Sequence, residues 1–187
     1  SKNYRKVLND LPANTKIVRM NTNGSRMIKE IEDVLKRNIM VIVTMSLDGI
    51  GSVHDYTRWP IKWTDYKKTV DAYKDLQEKY KLLQLDFWTT VSSLNVNNLP
   101  DIIEFCKDKN TPHDWSFLDN PSVLNVRYKN KFTTVAKHIS PSEIAVDEDN
   151  SEQLEAFIKR QDVLRNISID DYFSLDPNLS KNSSANR

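Results

Sequence analysis

Three features of the 187-residue chain predict an α/β fold on a parallel sheet. Strand-length apolar runs alternate with segments of helical periodicity about four times, the pattern of strands joined by crossover helices. The run "MVIVTMSL" (Met40–Leu47) is nearly all apolar, as expected of a parallel strand covered on both faces. Finally, polar and turn residues gather after four successive runs, as "NTNG", "SLDG", "TTVSSLN" and "FLDNP". With right-handed crossovers, two architectures satisfy this order: an open doubly wound sheet, or an arc of a (β/α) barrel. In both, ligands collect at the C-terminal ends of the strands.

The elements follow in order. "KIVRMNT" (Lys16–Thr22) is a short β-branched run that stops at the turn signal Asn23-Gly24. "RMIKEIEDVLKR" carries Met27, Ile28, Ile31, Val34 and Leu35 at helical spacing. After the strand at Met40–Leu47, the segment with His54, Arg58 and Pro60 reads as a loop. "DYKKTVDAYKDLQEKYKLL" is helical, with Tyr66, Val70, Tyr73 and Leu76 on one side and Thr64 or Asp65 as the expected cap. "LQLDFWTTVS" (Leu83–Ser92) is a third strand with Leu85, Phe87 and Thr89 on one face. "NLPDIIEFCKDK" is a helix with Pro100 in its first turn. "HDWSFL" (His113–Leu118) is a short fourth strand, and a last helix runs from about Ser151 to Arg165. The polar end "SLDPNLSKNSSANR" has the composition of a disordered tail.

Composition narrows the function classes. A net charge of +1 creates no field favouring nucleic acid or an anionic membrane. No apolar run approaches the ~20 residues of a membrane span, and the expected location is the cytoplasm. The single cysteine, Cys106, cannot form an internal disulfide or hold an iron–sulfur cluster, and its place in "DIIEFCKDKN" is that of a small buried hydrophobe.

The candidate site residues lie in the strand-end motifs. In "SLDGIG", Ser46 can donate to a carboxylate or ribose hydroxyl, and Asp48 can accept from ribose hydroxyls or a ligand amine. Gly49 and Gly51 would let the backbone approach a ligand. Asp-Gly is equally ordinary turn punctuation, and Gly-x-Gly without a third glycine is a weak dinucleotide fingerprint. The chain's three glycines all fall in "NTNG" and "SLDGIG". In "NTNG", amide side chains suit a zwitterion or a ribose, although Ser25 as a helix N-cap would also explain the motif. Arg58 can grip a carboxylate bidentately, or form an ordinary ion pair with Asp55 or Asp65. His54 and His113 are weak acid–base candidates with no regular metal spacing. No Gly-x-Ser-x-Gly elbow supports hydrolysis. Trp59, Trp63, Trp88 and Trp115 form no basic–aromatic stripe for base stacking.

The succession "NTNG", helix, "SLDG", "HDYTR" and "TVSSLNVNNLPDIIEF" resembles the radical S-adenosylmethionine (SAM) superfamily, closest to members with twitch or SPASM-type extensions, of the kind found in phage. "FLDNPSVLNVRY" and "RQDVLRNISIDDYF" resemble the later parts of such proteins, so the likeness runs from about Ile17 to Phe173. It implies a partial (β/α) barrel arc with parallel strands and outer helices. It also implies binding of S-adenosylmethionine and generation of a 5′-deoxyadenosyl radical that abstracts hydrogen from a substrate not readable from the sequence. Carried over by residue, Thr22 and Asn23 would lie near the SAM methionine group, and Ser46 and Asp48 would contact its carboxylate and ribose. Arg58 would pair with the carboxylate, and Thr90, Ser92 and Asn95 would lie near the ribose.

The departures are specific. The Cys-x3-Cys-x2-Cys loop that carries a [4Fe–4S] cluster in that superfamily is missing, as is the Gly-Gly-Glu-Pro motif. The resemblance then implies a chain that begins inside the barrel, with a cluster and radical chemistry only if the missing segment is supplied. The expected organisation is an incomplete barrel over 1–146, a helical extension over 147–175 and a tail over 176–187. An arc lacking its first strands would leave Val41, Ile42 and Val43 needing cover, from a partner chain or a second copy. The rival reading is a non-catalytic α/β interaction or scaffold domain whose strand-end polar residues only cap turns. A third is a nucleotide- or phosphate-binding enzyme on an open sheet, weakened by the incomplete glycine-rich loop.

Overall fold

The computed structural model describes residues 2–133 and 148–173. The expected parallel α/β fold is present. Strands β1 (Ile17–Thr22), β2 (Met40–Ser46), β3 (Leu83–Val91) and β4 (His113–Phe117) form one parallel sheet in the order β1-β2-β3-β4. Helices α2 (Ile31–Lys36), α4 (Trp63–Lys79) and α5 (Leu99–Asp108) connect consecutive strands.

A sheet whose strand order equals chain order, joined by crossovers of one hand, receives all its helices on one face. The packing agrees. Val41, Val43 and Met45 of β2, with Leu83, Leu85 and Phe87 of β3, share one buried cluster with Ile31 and Val34 of α2, Tyr66, Val70 and Tyr73 of α4, and Ile102 and Cys106 of α5. Cys106 is the buried hydrophobe its context predicts. The opposite face follows from the register. Arg19–Ile42–Gln84, Asn21–Thr44–Asp86 and Ser46–Trp88–Asp114 form successive rows, ending with Thr90–Ser116. This face is polar and carries no crossover helix. The expectation that β2 is covered on both faces therefore holds for only part of its length: Ile42 is buried, whereas Thr44 and Ser46 are half-buried.

Val41, Ile42 and Val43 do not lie at an open edge. β2 is an inner strand, and β1 pairs along its whole length. Among the described residues the edge strands of this sheet are β1 and β4.

Two helices go beyond the sequence reading. Helix α1 (Lys2–Asn9) seats Leu8 in the core cluster, while Arg37 donates to the carbonyls of Leu8 and Leu11. Helix α3 (Ser52–Thr57) opens directly after Gly51, where a loop was expected. α2 is shorter than the periodicity over 26–37 predicts, because residues 28–32 are held in tight turn bonds, Ile31 N to Ile28 O and Glu32 N to Lys29 O. The predicted cap of α4 also moves. Neither Thr64 nor Asp65 serves; the Asp55 carboxylate of α3 accepts from Trp63 N and pairs with Lys62. Asp55→Ala should cost about 1–2 kcal/mol, the usual loss for removing a cap, read as a lower urea midpoint at unchanged slope.

Helix α6 (Ser151–Arg165) matches the expected last helix. It packs across the loops that follow the strands: Leu154 and Ile158 meet Tyr56 of α3, with Leu94 and Leu124 against the same cluster. The proposed boundary at 146/147 and the tail over 176–187 fall outside the described residues. No helix among the described residues is long and apolar enough to cross a membrane.

Candidate functional site

The C-terminal end of the sheet is knit together by side chains standing in for the backbone ladder. β2 makes its last main-chain bond to β3 from Leu47 N to Trp88 O, at 2.8 Å. One residue on, the Asp48 carboxylate takes over, accepting from Thr90 N at 2.9 Å. Its other oxygen lies 2.6 Å from Arg58 Nη2. Both partners are largely buried, with side chains 17% and 23% exposed, so the pair is charge-assisted and only weakly screened. Burial pushes the Asp48 carboxyl above its ordinary value, and Arg58 and the Thr90 N–H pull against that shift without cancelling it. Arg58 thus pairs with Asp48 rather than Asp55 or Asp65.

Asn95 is the second staple. Its Nδ2 donates to the carbonyls of Asp48 (3.1 Å) and Thr90 (2.9 Å), and its Oδ1 accepts from Ser92 N (2.7 Å) and Ser92 Oγ (3.3 Å). An amide offers two donors and two acceptor positions, so Asn95 is fully committed. It shapes the site and has no group left to bind with.

Above this knot lies a cavity of about 290 Å³ between the strand ends and α6. Asp48, Thr90, Ser92 and Asn95 line it, four of the eight residues expected from sequence. Ser46 stands on the same sheet face, level with Trp88 and short of the cavity. Arg58 reaches the site through Asp48. Thr22 and Asn23 stand apart. Thr22 Oγ1 accepts from Gly24 N, and the exposed Asn23 closes an Asx turn by accepting from Ser25 N. Gly24, at φ +71°, packs so closely on the Tyr66 ring that a side chain there would collide. The "NTNG" glycine therefore serves core packing.

The other wall was not readable from the strand-end motifs. Phe157, Gln161 and Arg165 of α6 follow each other at intervals of four and line the cavity with Tyr56, Leu94, Leu118 and Leu124. α6 is latched in place. Tyr56 Oη donates to Asp162 Oδ1 at 2.8 Å, Arg165 Nη1 donates to Tyr56 O at 3.0 Å, and Asp162 Oδ2 accepts from Ile169 N at 2.9 Å. Burial and the bond to Asp162 hold the Tyr56 phenol above its usual range, so it stays a donor. Spacing along α6 was the available signal, but nothing in the sequence tied it to strand ends so much earlier in the chain.

Beneath the Asp48–Arg58 pair, polar groups are buried without partners. Both ring nitrogens of His54, Arg58 Nε and Tyr66 Oη make no hydrogen bond among the described residues. His54 is fully buried against the Trp63 and Tyr66 rings, which stack on each other. It is therefore a core histidine. His113 donates from Nε2 to Thr89 Oγ1 at 2.8 Å, since that hydroxyl already gives its proton to Leu47 O. Neither histidine reaches the cavity. Among the described residues no group of His, Cys, Asp or Glu is placed to hold a metal ion.

No family model and no curated protein matches the chain. The geometry therefore carries the functional reading: a half-polar cleft at the carboxyl ends of parallel strands, where Asp48, Thr90 and Ser92 face a wall of leucines and Phe157 that also carries Gln161 and Arg165.

Proposed function

We propose that this cleft binds S-adenosylmethionine, and that the chain is the SAM-binding part of a radical SAM enzyme built on a partial (β/α) barrel. One observation carries the reading. All the crossover helices lie on one side of the sheet, leaving a polar face that leads into a cavity at the strand ends, as the inner wall of a barrel arc would. The lining fits a nucleoside. Leu94, Leu118, Leu124 and Phe157 offer apolar contact to a base, while Thr90, Ser92 and Gln161 offer hydrogen bonds to ribose hydroxyls. Asp48 lines the cleft as well, with its charge paired to Arg58. When bound, S-adenosylmethionine supplies a transferable 5′-deoxyadenosyl group. The chain's own residues bind it, orient it and exclude water.

The residues do not fit a [4Fe–4S] cluster. The single cysteine lies in the core on the helical side of the sheet, away from the cavity. A cluster would have to be held by residues outside this chain. The chain alone is expected to show no radical activity.

One observation favours the scaffold reading: the polar atoms of Asn95, Thr22 and Asn23, and much of Asp48, are spent on turns and strand ends. Calorimetric titration separates the two. S-adenosylmethionine should bind saturably, and Thr90→Val and Gln161→Ala should each raise Kd about five- to tenfold, the worth of a hydrogen bond inside a cleft. Absence of saturable binding, or equal Kd in all three proteins, sinks the cofactor reading and leaves the scaffold.

A further inference from the structure

The open face of the sheet holds a second feature, one row before the cavity. Trp88 points out of this face and is 40% exposed. A tryptophan standing bare in the middle of a parallel sheet is costly, since such sheets are normally covered on both faces. Two carboxylates flank it. Asp114 is its register partner on β4, about 5 Å away backbone to backbone, and Asp86 precedes it by two residues on β3, on the same face. Gln84 Nε2 donates to both oxygens of Asp86, at 2.9 and 3.2 Å, which fixes that carboxylate in place. Neither acid forms an ion pair with a described residue, and no described cation lies over the Trp88 ring. The only arginine in the sheet, Arg19, sits four residues lower and two strands across, roughly 16 Å away by strand geometry and beyond effective screening range.

We propose that this platform docks a basic segment of a partner polypeptide, with a lysine or arginine side chain laid over the Trp88 ring between Asp86 and Asp114. Three arguments select that occupant. The π-face of an indole attracts a cation, and two flanking carboxylates add charge of the matching sign. Trp88 and Asp114 are exposed, so a small amine there would remain mostly solvated, whereas bound small molecules are usually largely enclosed. An extended chain overcomes this by crossing several strands, and Ser46, Thr44, Asn21 and Ser116 offer it hydrogen-bonding groups along the adjoining rows. Nucleic acid is disfavoured by the same two acids. The proposal stands on the register of the sheet and does not depend on what the cavity binds.

The test is titration of the chain with acetyl-Gly-Arg-Gly-Arg-Gly-amide, read by calorimetry at low and physiological ionic strength. The matched control peptide carries citrulline, which has the same shape without the charge. The arginine peptide should bind measurably, more weakly at higher salt, and the citrulline peptide should not. Trp88→Ala should weaken binding about fivefold and Trp88→Phe much less, as expected for a cation over an aromatic ring. Asp114→Asn should weaken it about threefold. Both positions are exposed, so far-ultraviolet circular dichroism should match wild type. Equal binding of both peptides, no binding of either, or full affinity in Trp88→Ala overturns the proposal. So does a concentration-dependent dimer that buries Trp88, which would make a second copy the occupant. Because the peptide assay uses no nucleoside and the SAM titration uses no peptide, either reading can fail without the other.

Discussion

Asp48→Ala is expected to destabilise the protein by about 3 kcal/mol, toward the lower end of the range for breaking a buried ion pair. Two losses combine. Arg58 keeps its charge in a largely buried position and loses its partner at 2.6 Å, while its Nε already has none. The Thr90 N–H, which the carboxylate satisfies at the end of β3, is left without an acceptor. Partial exposure of Arg58 lets water recover some of the cost, which is why the upper end of the range is not expected. For a chain of this size the change corresponds to a fall in Tm of about 6–12 °C. Asp48→Asn should be milder, because the amide oxygen can still accept from Thr90 while the charge is lost. Arg58→Met tests the pairing. In the double variant Asp48→Ala/Arg58→Met the losses should fall well short of additive, since removing both partners avoids a stranded charge. If Asp48→Ala costs under about 1 kcal/mol and the double variant is additive, the pair is a solvated surface contact and the knot holding β2 to β3 lies elsewhere.

The same knot shows how far residues can be read without coordinates. The strands were legible because their pattern has a physical cause: Leu85, Phe87 and Thr89 alternate with Asp86, Trp88 and Thr90 because one face meets helices and the other does not. That Asp48 and Thr90 share a site was also legible, since parallel strands end at a common rim. What each polar group does there was not. Asn23 and Asn95 are both strand-end asparagines. One closes an exposed turn and the other staples two strands, and only the three-dimensional neighbourhood separates these from ligand binding. Helix α3 escaped notice because six residues carry too little periodicity to stand out, and because Gly51 suggested a loop. The α6 wall escaped because helical spacing reveals a stripe but not what the stripe faces. The bare polar face was hidden by β2 itself, whose Ile42 reads as buried and is, but between Arg19 and Gln84 rather than beneath a helix.

His54 should set the acid limb of stability. Its ring is fully buried against Trp63 and Tyr66, and neither nitrogen has a partner among the described residues. Burial lowers its pKa to about 4; nearby Asp55 opposes the shift and the Arg58 charge adds to it. In the unfolded chain the imidazole titrates near its ordinary value of about 6.5. Between those two values the unfolded state binds a proton that the native state refuses, so stability must fall as pH drops from about 6.5 to about 4. Above the window both states are neutral and this group contributes no pH dependence. The full span is worth about 3 kcal/mol, and about 2 kcal/mol is already lost at pH 5. His113, also lowered by burial, acts in the same direction, so wild type alone cannot isolate His54. The comparison with His54→Leu can. Leucine fills a similar volume and removes two unsatisfied polar atoms, so at pH 7.5 the variant should be at least as stable as wild type. At pH 5 its advantage should grow by about 2 kcal/mol, measured as the difference between urea-unfolding free energies at the two pH values. Parallel stability–pH curves for the two proteins would mean that the imidazole is protonated or solvated in the native state, and that the polar groups beneath Arg58 are not sealed from water.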